Sequence, residues 1–90
     1  MLQFAPEQLL NLGLQHQQRG EFRQAEALYR QVLTLHPDHP PALHLLGFLH
    51  GQTGHKEAAV EFVRHAIALD PNDPTMYANL GIWLGELGLK

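Results

Sequence analysis

The chain repeats itself at an offset of 34 residues. Leu9, Leu12, Gly13, His16, Gly20, Ala25, Leu35 and Pro37 recur as Leu43, Leu46, Gly47, His50, Gly54, Ala59, Leu69 and Pro71. Tyr77, Leu80, Gly81, Leu84 and Gly88 begin a third copy at the same offset. A fixed period of this size is the signature of a solenoid, in which each supersecondary unit buries its apolar face against the next. This narrows function as well as fold, because solenoids present extended binding surfaces far more often than reaction centres.

Proline and glycine punctuate each copy. Pro6, Pro40 and Pro74 stand where helices should begin, since a first-turn N–H has no helical partner and proline lacks one. Asp73 is a suitable N-cap for the last of these. Ala5 is a poor cap, and Gln8 supplies half of a capping box there. Gly20, Gly54 and Gly88 fall where helices should stop. Pro37 and Pro71 end the second helix of each pair. This punctuation predicts five helices, over residues 6–19, 22–35, 40–53, 56–69 and 74–87, and no strand. Links of two to four residues make consecutive helices antiparallel. Phe22, Ala25, Tyr29, Val32 and Leu33 share one helix face, and Ala59, Phe62, Val63, Ala66 and Ile67 share the equivalent one. Gly13 with Ala25, and Gly47 with Ala59, are expected at close helix crossings that bring Leu12, Tyr29, Leu46 and Val63 into contact.

The expected architecture is therefore all-α, a right-handed α-solenoid of antiparallel helix pairs. One domain spans residues 1–90, with repeat 1 at 6–39, repeat 2 at 40–73 and a partial repeat 3 at 74–90.

At these residues the chain resembles the tetratricopeptide repeat family. The family pattern places a large residue, Leu-Gly, an aromatic, Gly, Ala, an aromatic, Ala and Pro at set offsets. Copy one reads Leu9, Leu12-Gly13, His16, Gly20, Ala25, Tyr29, Val32, Pro37. Copy two reads Leu43, Leu46-Gly47, His50, Gly54, Ala59, Val63, Ala66, Pro71. His16, His50 and Leu84 replace the usual aromatic, and Val32 the usual alanine. The run Gly20-Glu21-Phe22-Arg23-Gln24-Ala25-Glu26-Ala27-Leu28-Tyr29 also resembles the N-terminal repeats of bacterial peptide O-GlcNAc-transferase-like proteins.

The resemblance implies a protein- or peptide-binding scaffold that uses a concave face lined by the first helix of each pair. Carried over position by position, the groove would hold Glu7, Leu10, Asn11, Leu14, Gln17 and Gln18, then Pro41, His44, Leu45, Phe48, Gly51 and Gln52, then Thr75, Ala78, Asn79, Ile82, Gly85 and Glu86. Leu14, Phe48 and Ile82 form an apolar column that either anchors a partner's apolar side chains or packs partly on neighbouring helices. The subclass that grips a C-terminal carboxylate has Lys, Arg and Asn at positions that here are Leu10, Leu14, Leu45, Thr75 and Asn79. That reading is rejected, because a carboxylate needs charged or forked donors. Asn11 and Asn79 match two positions of the asparagine ladder of the glycosyltransferase subclass, but Leu45 interrupts it. A targeting appendage of a glycosyltransferase and a self-assembly module are the alternative functions. The latter would use the last helix, with Trp83, Leu87 and Leu89 pairing in a homodimer, because no following helix covers them.

Composition excludes other classes. A net charge of −3 and no basic stripe argue against nucleic acid. There is no cysteine, so disulfides and thiolate sites are absent. That usage, with no secretory signal pattern, suggests the cytoplasm. No apolar run is long enough to span a membrane. The seven histidines, His16, His36, His39, His44, His50, His55 and His65, include no pair three or four apart within one predicted helix, so no metal site is expected. His36 and His39 flank a turn and could chelate only weakly. His16 and His50 are expected to pack a ring face and satisfy a nitrogen by a hydrogen bond. No catalytic constellation or cofactor-binding motif is present, and the chain is expected not to be an enzyme.

Overall fold

The five helices form where proline, glycine and the apolar stripes place them. The computed structural model describes residues 4–88. In it α1 spans Pro6–Gln18, α2 Phe22–Leu35, α3 Pro40–Gln52, α4 Lys56–Leu69 and α5 Pro74–Glu86. The first helix of each repeat ends one residue short of the expected boundary. Gly20 and Gly54 adopt φ of 78° and 87° in the turns that follow. A side chain there would clash with the backbone, so the turn demands glycine. Asp73 caps α5 by accepting from the Thr75 N–H at 2.9 Å. The Ala5 N–H donates to Gln8 Oε1 at 2.7 Å, the expected half of a capping box. His39, whose capping role went unforeseen, caps α3 by accepting from the Ala42 N–H through Nδ1 at 3.3 Å.

Packing within each repeat is the most extensive in the molecule, α1 on α2 and α3 on α4. Across repeats α2 packs on α3 and α4 on α5. The first helices also meet one another, α1 with α3 and α3 with α5, whereas the backbones of α2 and α4 stay apart. The first helices therefore form an inner layer and the second helices an outer one, which is the geometry of a curved solenoid.

The glycine crossings are as close as the 34-residue period implied. A Cβ built on Gly13 would lie 2.5 Å from Tyr29 Cε1, and one on Gly47 would lie 2.8 Å from Val63 Cγ2. Only the missing side chain lets these rings and methyls reach the opposite backbone. Tyr29, Val32, Leu46 and Val63 are fully enclosed as a result. Burying such side chains contributes roughly 1.5–3 kcal/mol each.

Two packing expectations need correction. Leu12 does not join the crossing and stays 45% exposed. Its counterpart Leu46 is fully buried because α2 of the preceding repeat covers it, and nothing among the described residues precedes α1 in that role. Trp83 is not a bare anchor but is 6% exposed. Its ring lies against Gly51, where a Cβ would come within 2.5 Å, and is tilted on Phe48 at 6.4 Å. Leu87 packs into the same cluster. Leu89 lies outside the described residues. Trp83, the expected anchor of a self-association surface, is thus buried within the monomer, and Leu87 is half-buried.

Candidate binding face and the family

The inner layer of α1, α3 and α5 brings together most of the groove residues read from the sequence. Gln17, 4% exposed, and Leu10, 7% exposed and part of the first core cluster, are exceptions. Leu10 points between α1 and its neighbours rather than into the groove. Asn11, Gln18 and Gln52 are exposed, whereas Leu14, His44, Phe48 and Asn79 are half-buried. Ile82 is 57% exposed. The apolar column therefore divides along its length. Phe48 is committed largely to Trp83, while Ile82 is free.

Two polar bridges cross the inner layer from repeat to repeat. Gln17, 4% exposed, accepts from the Tyr29 hydroxyl at 2.6 Å and donates through its amide nitrogen to Gln52 Oε1. A buried carboxamide needs such partners, because leaving them unmade costs the full desolvation of the group. The Tyr29 phenol is pushed up to about 12 by burial and stays neutral. In the second bridge Asn79 Nδ2 donates to His44 Nε2 at 3.0 Å. Burial lowers the His44 pKa from its ordinary value, against the opposing field of the Asp73 carboxylate, so the ring is held neutral and able to accept. Both bridges orient a carboxamide, Gln52 or Asn79, on the inner face. Sequence reasoning placed Gln17 in the groove but missed its burial and its bond to Tyr29. The only available signal was a polar residue at a helical spacing shared with Leu10 and Gly13.

The two histidines at the aromatic positions behave differently. His16 Nδ1 pairs with Glu21 Oε1 at 2.9 Å, as expected. His50 stacks on Phe62 with centroids 5.3 Å apart and planes 8° from parallel, and meets His55 edge-on at 5.7 Å. Its Nε2 is buried without a hydrogen-bond partner, and Glu26 Oε2 lies 3.9 Å away. Burial lowers the His50 pKa, Glu26 raises it, and Arg30 and His55 lower it further. Glu26 is itself drawn to Arg30, one helical turn on, at 2.8 Å.

Among the described residues no group of three or more histidine, aspartate or glutamate side chains converges as a metal site. Among the described residues no helix is long and apolar enough to cross a membrane. The inner face carries carboxamides, imidazole and apolar side chains, and the groove residues include no lysine or arginine. It can hold neutral polar and apolar groups but has no fork for a carboxylate.

This architecture defines a helical-repeat scaffold, and the family profile of the tetratricopeptide repeat matches residues 16–81. The chain belongs to the tetratricopeptide repeat family. Its fold is shared with an O-GlcNAc transferase of Thermobaculum terrenum at 38% identity and a TM-score of 0.84, over 88% of this chain and 15% of that one. It is shared also with the Sgt2 tetratricopeptide domain of Aspergillus fumigatus at 25% identity and a TM-score of 0.86, over 92% and 55% of the two chains. MamA, at 21% identity and a TM-score of 0.87 over 94% and 50%, shows the same fold. The chain thus spans a small part of the transferase and about half of each of the others. None of the curated proteins matches it.

Proposed function

We propose that the chain is a scaffold that binds a protein or peptide on the inner face of α1, α3 and α5, with no catalysis of its own. Ile82 carries the reading: a large aliphatic side chain 57% exposed on that layer, one repeat beyond Phe48 and two beyond Leu14. Asn79, one turn before it on α5, is oriented by half-buried His44, and Gln52 on α3 by buried Gln17. A preorganised amide loses little freedom on binding and suits a peptide backbone. The absence of basic groups in the groove favours a neutral, partly apolar segment over an acidic one. Affinity capture followed by Ile82→Asp tests the reading. Binding lost with an unchanged circular dichroism spectrum supports it, and undiminished binding places the site elsewhere.

A second reading is favoured by the 38% identity to the Thermobaculum terrenum transferase. In it the repeats recruit protein substrates for a glycosyltransferase. Determining whether the natural gene encodes a transferase domain in the same chain distinguishes the two.

A further inference from the structure

Leu10 and Leu45 occupy the same repeat positions as His44 and Asn79, each 34 residues earlier. Where repeat 1 meets repeat 2 these positions are apolar, with Leu10 in the first core cluster and Leu45 packed against it. Where repeat 2 meets repeat 3 they hold a hydrogen-bonded pair, Asn79 Nδ2 on His44 Nε2 at 3.0 Å. Packing alone does not call for the exchange, because two leucines serve at the equivalent place one repeat earlier. Asn79, like Leu45, turns toward the repeat before it, so both members of the pair lie on helices already packed together.

The pair has one arrangement while the ring is neutral. To accept from an amide N–H, Nε2 must be the lone-pair nitrogen, so the ring proton sits on Nδ1. Neither His44 Nδ1 nor Asn79 Oδ1 has a partner among the described residues, and neither is enclosed, so both meet solvent. The Asp73 carboxylate at the start of α5 is the charged group that acts on the ring; none on α1, α2 or α4 does. Burial outweighs that carboxylate and keeps the ring neutral.

We propose that His44 is a positioning residue for the inner face: it turns the Asn79 carboxamide so that Oδ1 is left free as an acceptor, and the face selects a segment that brings a backbone N–H there, one turn from Ile82. This rests on the inner-face reading above. Protonation reverses the selection. An imidazolium carries N–H on both nitrogens, so Nε2 would confront the amide with a second donor. The carboxamide then turns over to give Oδ1 to the ring, and the outward atom becomes Nδ2, which opposes an incoming N–H. Gln52 has no such switch, because its orienting chain runs through Gln17 to the Tyr29 phenol, which stays neutral.

The first test needs only the free, isotopically labelled chain. Nuclear magnetic resonance should find His44 as the Nδ1–H tautomer at neutral pH, with the Asn79 side-chain amide signals moving as His44 titrates. An Nε2–H tautomer, or Asn79 signals indifferent to that titration, overturns the proposal. The second test uses an uncharged, end-capped peptide selected from a random display library on the chain at about pH 7.5 and no longer bound by Ile82→Asp. Its affinity should fall about fivefold or more by about pH 5.5, across the ordinary imidazole range, with helical circular dichroism retained. His44→Gln, whose Oε1 accepts from Asn79 without titrating, should bind it as tightly as the native chain does at neutral pH and show no such fall. N-methylation of one backbone N–H should weaken binding to the native chain about fivefold and leave binding to Asn79→Ala unchanged. Peptides indifferent to Ile82→Asp would sink the inner-face reading itself. Peptides lost from Ile82→Asp but bound alike at both pH values, or still pH-dependent in His44→Gln, overturn only the role given to His44.

Discussion

The Tyr29 hydroxyl donates to Gln17 Oε1 across 2.6 Å, joining the two helices of repeat 1 at a point with almost no solvent access. Gln17 then reaches Gln52 of repeat 2. One phenol therefore supports both the glycine crossing of its own repeat and a bridge to the next. Tyr29→Phe keeps the ring over Gly13 but leaves a buried carboxamide oxygen without its donor. The expected loss is about 1–3 kcal/mol in urea denaturation.

Gly13→Leu and Gly51→Leu should both destabilise the fold, by roughly 1–3 kcal/mol or more, through overpacking. They should differ in how they do so. Gly13→Leu displaces Tyr29 inside repeat 1. Gly51→Leu displaces Trp83, the ring that seats α5 on α3, so tryptophan emission should shift to the red. Unshifted emission in Gly51→Leu would contradict the seating of Trp83.

The pH dependence follows from His44 and His50. Both pKa values are lowered from 6.5, chiefly by burial. The unfolded chain therefore binds protons more readily than the folded one, and folding stability rises with pH. Their contribution is complete above pH 6.5 and is lost as pH falls below it. The melting temperature should drop between pH 6.5 and about 5, before most carboxylates titrate. His50→Phe keeps the stack on Phe62 and should flatten part of that slope. A slope unchanged in His50→Phe, and equally in His44→Gln, would assign it to other groups.

Lys56→Met should cost little, about 0–1 kcal/mol, although it breaks the 3.1 Å pair with Glu86. Both side chains are more than a third exposed, so water already solvates them. A large loss in thermal denaturation would show that α5 depends on this pair more than on Trp83.

The period, the proline and glycine punctuation and the apolar stripes were enough to place five helices, their antiparallel pairing and the crossings at Gly13 and Gly47. These features are local or recur at a constant offset, so each copy reports on the others. Which side of a helix finds a partner is a different kind of fact. Leu12 and Leu46 occupy the same position, as do Leu43 and Tyr77, yet one of each pair is buried and the other exposed. Burial there depends on whether another helix lies alongside, and a repeat says nothing about its own ends. Trp83 read as a free apolar ring because Gly51, the space that receives it, lies 32 residues away on another helix. The bridges from Gln17 to Tyr29 and Gln52, and from His44 to Asn79, likewise needed three dimensions. A polar side chain is compatible with solvent or with a buried partner, and only the packing of the helices around it chooses between them.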